Sequence, residues 1–283
     1  MRLPAAGETA RREAPLGRRA LRVSAVAAIG AYVVLSAEDP DGPAPLPGQF
    51  YMLATEERWG GGDGERPVLP RAFSVLRAHD GAPRRLDFML EAVGPGTARL
   101  CELQAGDGLH VLGPLGLGFT APADGRRALL CGGGVGTAPL AILQDALRAD
   151  GRGAPALLGF RDAAHAAGAD LLEAARVATD DGSVGHHGLV TDLLTRELDA
   201  DPHAVVYACG PPPMLEAVRA LCAERSVPCQ LALESGMACG YGACFGCVVP
   251  LRGGGNIRLC VDGPVLAGER LETCLLPGHG GRA

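Results

Sequence analysis

The chain has 283 residues with 47% hydrophobic content, enough to bury two or three cores. A net charge of -6 argues against a nucleic-acid partner, and no run of eighteen apolar residues is present to span a membrane. The ten cysteines are scattered along a long chain and do not form a short secreted framework, which points to a reduced, cytoplasmic compartment.

Residues 1–19 are polar and Ala/Pro-rich, and a loose tail is expected there. The next stretch, RRALRVSAVAAIGAYVVLSA, places arginines before an apolar run, as a signal peptide does. Arg22 interrupts that run, however, and its Val, Ile and Tyr content reads better as two strands meeting near Gly30. From 20 to 122, short apolar runs such as AYVVL, GQFYMLA, AFSVLRA and RLDFMLEAV are broken by Gly, Pro and Asp. Strands at this spacing predict a small antiparallel β-barrel. Within it, EERWGGGDGERP (56–67) reads as a Gly-rich loop.

The texture changes near Arg126. RALLCGGGVGTAPLAILQDALRAD is a buried strand, a Gly-rich turn and an apolar-periodic helix. APALLGFRD reads as a strand, ADLLEAARV and GLVTDLLTREL as helices, AVVYACG as a strand, and PPPMLEAVRALCAERS as a helix opened by prolines. This alternation predicts an α/β domain with a parallel sheet over 123–228. From 229 to 283 regular structure is expected to give way to cysteines and glycines.

Cys239, Cys244 and Cys247 are spaced C-x4-C-x2-C, and Cys260 follows after twelve further residues. That is the spacing of a plant-type [2Fe–2S] site. A zinc ribbon would pair two CxxC knuckles, and only one is present; zinc and disulfides stay as alternatives. Gly240, Gly242, Ala243 and Gly246 are small enough to let backbone N–H groups approach a cluster. Cys101, Cys131, Cys222, Cys229 and Cys274 read as small buried hydrophobes, while Cys209 begins CGPPPM at a strand end. Gly132, Gly133, Gly134 and Gly136 lie between a strand and a helix, where a pyrophosphate could meet the helix N-terminus. Cys209 and Gly210 end another strand on the same carboxyl edge. In the barrel half, RAFS (71–74) and GPGT (94–97) would suit a phosphate, or are two ordinary turns.

Taken in order, RAFS, VGPGT, GPLGLGF, CGGGVGTAPL, TDDGSVGHHGLVTDLL, YACGPPPML, ESGMACGYGACFGCVV and CVDGPVL closely resemble the electron-transfer subunits of NAD-dependent dihydroorotate dehydrogenase, a branch of the ferredoxin-reductase superfamily. The resemblance runs over about residues 20–270. It implies FAD in the barrel, NAD in the α/β domain and one [2Fe–2S] cluster in the C-terminal segment, held by Cys239, Cys244, Cys247 and Cys260. Arg71, Ala72, Phe73 and Ser74 match an RPFS-like flavin motif, with alanine in place of the usual proline. Arg71 would meet the FAD phosphate and Ser74 would sit near the flavin ring. Gly96 and Thr97 match the pyrophosphate turn, and Met89, Leu90 and Glu91 match the segment along the cofactor, where a glutamate is an odd neighbour. The preference for NAD over NADP is implied by the family alone, because GFRDAAHAAGADLL departs from the usual acidic spacing. His186 and His187 read as surface residues.

The implied partner is an FMN-containing catalytic subunit that oxidises dihydroorotate, in a heterotetramer of two chains of each kind. No catalytic acid or base is expected in this chain. The three segments leave no room for the roughly 250 residues of a (β/α)8 barrel that would hold FMN and substrate. The near rival is the small subunit of a ferredoxin–NADP oxidoreductase or sulfide dehydrogenase. Some of those carry aspartate at the first cluster position, where this chain has Cys239. Tyr241 and Phe245, inside the cysteine loop, would either shield the cluster or form the docking surface.

Overall fold

The computed structural model describes residues 2–15, 17–60, 67–123 and 125–275. The middle of the expected Gly-rich loop, 61–66, and the end of the C-terminal segment, 276–283, lie outside the described residues. Six antiparallel strands close a barrel: β1 (Arg19–Ile29), β2 (Tyr32–Asp39), β3 (Phe50–Thr55), β4 (Arg71–His79), β5 (Arg84–Leu90) and β6 (Gly108–Leu115), in the order β1-β2-β5-β4-β3-β6. The signal-like stretch is therefore β1 and β2, with Leu21 and Val23 turned into the barrel. Leu35, Tyr51, Leu53, Phe88 and Val111 fill the interior. Asp39, fully buried, takes Arg19 Nη2 and Nε at 2.6 and 3.0 Å, and Arg19 Nη1 donates to the Gly113 carbonyl at 2.8 Å. A buried charge persists only when its partner and the remaining hydrogen bonds are supplied in this way. The short helix α1 (Pro95–Cys101) adds Leu100 to the same core.

The second half is a seven-stranded sheet. Its strands are β7 (Arg127–Gly133), β8 (Ala156–Phe160), β9 (Ala175–Thr179), β10 (His186–His187), β11 (Ala204–Cys209), β12 (Cys229–Ala232) and β15 (Val265–Ala267), in the order β10-β9-β8-β7-β11-β12-β15. All neighbours are parallel except β12 and β15. Four helices belong to it: α2 (Thr137–Ala149), α3 (Ala163–Ala166), α4 (Val190–Ala200) and α5 (Pro212–Glu224). Both faces are covered, so alternate residues of β7 serve different cores. Leu129 and Cys131 pack with Leu193 and Leu194 of α4 and Val218 of α5, while Ala128 and Leu130 pack with Leu140 and Leu143 of α2. Ile142 of α2 reaches into the barrel core and joins the two halves.

Three expectations need correction. The N-terminal segment is not loose over residues 2–15: Leu3 and Ala10 are buried, and it lies as a strap along the connection from β6 to β7. That connection has backbone N–H groups without strand partners. Gly118 N donates to the Ala10 carbonyl at 2.7 Å and Ala121 N to the Pro4 carbonyl at 2.8 Å, which satisfies them. ADLLEAARV is not one helix. A 3-10 turn over Ala167–Leu171 stops at extended Leu172, Ala174 adopts φ +51°, and the rest pairs with β8 as β9. Parallel pairing with β8 overrides the high helix propensity of Leu, Glu and Ala, because such preferences are worth only tenths of a kcal/mol per residue, roughly, against tertiary context. Regular structure also does not fade at 229, because β12 and β15 extend the sheet across the expected boundary. Between them sit the small hairpin β13 (Val248–Pro250) and β14 (Asn256–Arg258) and the turn of helix α6 (Leu259–Asp262).

Candidate functional site

Two cavities lie between the carboxyl edge of the sheet and the barrel. The smaller, about 310 Å³, is lined by Arg71, Ala72, Phe73 and Ser74 of β4, Met89 of β5 and Thr97 of α1, with Val135 and Cys209 opposite. The Arg71 guanidinium lies directly over Gly96, where a Cβ would stand 2.6 Å from Nε and push the arginine aside. The same guanidinium stacks 5.8 Å from the Trp59 ring, and Nη1 donates to the Leu69 carbonyl at 2.5 Å. Thr97 Oγ1 accepts from the N–H groups of Val93 and Gly94 at 2.9 and 3.0 Å, which holds the turn in shape. An arginine laid over a glycine turn beside an open, largely apolar slot fits a phosphate attached to a flat ring system. Leu90 does not share this slot, since its side chain enters the barrel core.

The larger cavity, about 630 Å³, is lined by Gly133 at the end of β7 with Gly134 and Val135 after it, Phe160 at the end of β8 with Arg161 after it, Asp180 after β9, and Gly210 to Met214 after β11. Gly134 has φ +55° and only open space on its Cβ side, the nearest atom being Tyr32 Oη at 3.9 Å. Gly132 is packed between Leu140 and Leu158, and Gly136 against the Cys209 carbonyl, so these two shape the turn without facing the cavity. Thr137 Oγ1, at the start of α2, and Tyr32 Oη are buried without a hydrogen-bond partner among the described residues. A cradle that a Cβ would fill, at a helix N-terminus with unmatched hydroxyls nearby, fits a dinucleotide phosphate. His186 and His187 stay outside the site on the edge strand β10, and His186 Nε2 lies 3.1 Å from Asp192 Oδ2.

The motif search missed Glu234. It lines both cavities, as Val135 does, and lies just beyond β12. Although the residue is exposed, desolvation by the protein around its carboxyl raises that group above the ordinary range. Its only sequence signal was its place two residues past a strand end on the carboxyl edge.

The cysteine loop packs on the barrel. A Cβ on Gly240 would stand 2.5 Å from Met52 Cγ, and Met52 pairs across the ladder with Ala72 of the smaller cavity. Gly240 and Gly242 have φ +81° and +88°, and even Phe245 is left-handed at +58°. These turns point N–H groups at sulfur. Burial raises the Cys239 thiol, but the N–H groups of Cys244, Tyr241 and Ala243, together with the Cys244 thiol, outweigh it and bring it down to about 6. Burial pushes Cys131 and Cys274, outside the loop, up to about 12, as expected of inert packing residues. Cys260 also rises to about 12, through burial first and then the Cys247 thiol beside it.

The four thiols form two pairs. Cys247 and Cys260 Sγ are 3.2 Å apart, and Cys239 touches Cys244. Among the described residues no three His, Cys, Asp or Glu side chains converge on one ion position. Arg258, also missed, braces the loop: Nη1 donates to the Gly242 carbonyl at 3.0 Å and the guanidinium lies 5.2 Å from the Phe245 ring centre. Tyr241 and Phe245 are each 62% exposed, so neither folds inward.

Residues 234–272 match the family model described as the iron-sulfur cluster binding domain of dihydroorotate dehydrogenase B. The chain is 36% identical over 235 residues to the dihydroorotate dehydrogenase B (NAD(+)) electron transfer subunit of Caldanaerobacter subterraneus subsp. tengcongensis, covering 81% of this chain and 88% of that one. It is 43% identical over 215 residues to the protein of the same name from Geobacillus kaustophilus, covering 72% and 80%. Among solved structures, a chain of the NADH-dependent reduced ferredoxin-NADP oxidoreductase superposes with a TM-score of 0.76 at 25% identity, over 89% of this chain and 90% of that one.

Proposed function

The chain belongs to the family of dihydroorotate dehydrogenase B (NAD(+)) electron transfer subunits, and we propose that it relays electrons from the FMN of a catalytic subunit to NAD, by way of one [2Fe–2S] cluster and FAD, in pyrimidine (UMP) biosynthesis. The observation that carries this reading is the serial contact of three compartments. The cysteine loop touches Met52, the ladder partner of Ala72 in the smaller cavity, and that cavity shares Val135 and Glu234 with the larger one.

The paired thiols of Cys239 with Cys244 and of Cys247 with Cys260 would hold a cluster, which moves single electrons. Arg71, with the Gly96–Thr97 turn, would bind the FAD phosphates, and Ala72, Phe73, Ser74 and Met89 would wall the ring. FAD, when bound, exchanges electrons singly or in pairs, which suits a relay between a cluster and a hydride carrier. Gly133, Gly134 and Gly210 would admit NAD against the α2 N-terminus, with Cys209 between the two cofactors' cavities. The protein's own contribution is to position these groups and keep water from them; it supplies no acid or base. The catalytic partner is inferred to pair with it two to two. None of the ten cysteines is in a disulfide, and the setting is inferred to be cytoplasmic. Among the described residues no helix is long and apolar enough to cross a membrane.

The test is an EPR spectrum of the reduced chain. Cys244→Ser should abolish the [2Fe–2S] signal while flavin absorption persists, and Cys222→Ser, on the buried face of α5, should leave the signal intact. The opposite pattern, or a colourless protein, would refute the assignment.

A further inference from the structure

The structure points to Glu91, at the end of barrel strand β5, as the residue that makes the chain choose a dinucleotide without a 2′-phosphate. We propose that it does so by occupying Arg161. This rests on the reading of the larger cavity as the dinucleotide site. In sheets of this kind the ribose 2′ position is read just after the second strand, by a carboxylate that accepts from the hydroxyl or by an arginine that accommodates a phosphate. Here the second strand is β8, and the residue that follows it is Arg161. By sequence position alone this chain would suit a 2′-phosphate.

The charges around Arg161 reverse that. It is the one cation among the described residues lining the cavity, against the carboxylates of Glu91, Asp180 and Glu234. Arg161 Nη2 is hydrogen-bonded to Glu91 Oε1, and His165 Nε2 stands 3.3 Å from the same oxygen. Glu91 is mostly covered, with 21% side-chain exposure, so it holds a fixed position, whereas Arg161 is 58% exposed. A half-exposed ion pair stabilises the fold little. Its effect is on the ligand: a 2′-phosphate approaching Arg161 must come close to a fixed carboxylate of like charge. A ribose hydroxyl meets no such repulsion, and Asp180, on the same wall, can accept from it. Asp162 is already engaged, since its Oδ1 accepts from His165 N at 3.0 Å and lies 2.6 Å from His165 Nδ1. Selection is therefore imposed by the barrel on a site built mostly from the sheet, by a residue far in sequence from the Gly-rich turn.

The test uses the full chain loaded with FAD. NADH and NADPH oxidation are measured on one preparation with an artificial acceptor, so any change in flavin content cancels in the ratio. Binding of adenosine 2′-monophosphate serves as an equilibrium probe of the phosphate position alone. The unaltered chain should favour NADH. In Glu91→Gln the NADPH/NADH ratio of kcat/KM should rise at least about tenfold, mainly through KM, as expected for a freed arginine–phosphate bond, and adenosine 2′-monophosphate should bind correspondingly tighter. Adding Arg161→Ala to that variant should remove both gains. A ratio within twofold of the unaltered chain's, a gain that survives Arg161→Ala, or a native preference for NADPH would overturn the proposal. An unaltered chain that oxidised neither dinucleotide would overturn it together with the functional reading beneath it.

Discussion

Arg71 opens strand β4 and Gly96 lies in the first turn of α1, yet the guanidinium rests on a turn residue that has no side chain. That contact orients the arginine for a phosphate. In Arg71→Ala the phosphate would lose a charge-assisted bond, and FAD affinity should fall by about 1.5–3 kcal/mol, roughly tenfold or more. Flavin retained after extensive dialysis is the measurement, and an unchanged content would count against the assignment. At this scale the sequence was readable where the chemistry is local. The cysteine spacing and the small residues between them could be read directly, because one loop carries three of the four sulfurs. Arg258 and the Glu91–Arg161 pair could not, because their partners lie on other elements and no spacing rule joins them. Glu91 looked out of place beside a pyrophosphate; with Arg161 in view, its charge has a partner.

Between elements, one carboxylate ties the cluster segment to the sheet. Glu216 of α5 takes Arg219 Nη2 at 2.5 Å, Cys274 N at 2.7 Å and Thr273 Oγ1 at 3.2 Å. Arg219 foremost, and then the Cys274 N–H, hold its carboxyl down to about 2, below the ordinary 4.5. A depressed carboxyl pKa stabilises the fold fully above the ordinary value, and that stabilisation is lost as pH falls toward the folded value. Unfolding monitored from about pH 5 to pH 2 should therefore show a decline in stability that Glu216→Gln flattens, with the variant less stable at neutral pH by about 1–2 kcal/mol. Parallel acid profiles for the two chains would contradict this. The elements themselves were mostly legible: alternation in the barrel strands and continuous apolar runs in β7 and β11 follow from one buried face versus two. The strap at 2–15 and the strand β9 were not. Both form because a neighbouring backbone needed partners, and composition does not record that need.

At the scale of the whole molecule, the barrel, sheet and cysteine loop form a line of contacts with an open end at Tyr241 and Phe245. Aromatic side chains 62% exposed beside the cluster ligands make a natural interface core. Phe245→Asp should weaken association with the FMN subunit in co-expression while leaving NADH oxidation by an artificial acceptor intact; unchanged association would place the docking surface elsewhere. The arrangement of domains was readable because each has its own periodicity. Their junction was not, since β12 and β15 are short strands on either side of the cysteine loop. The central claim is that this chain relays electrons and that the substrate chemistry belongs to another polypeptide. The most direct test is NADH formation from NAD and dihydroorotate by this chain alone, by the FMN subunit alone, and by the two together. Only the mixture should produce NADH; formation by this chain alone, or none from a stable complex of the two, would contradict the account.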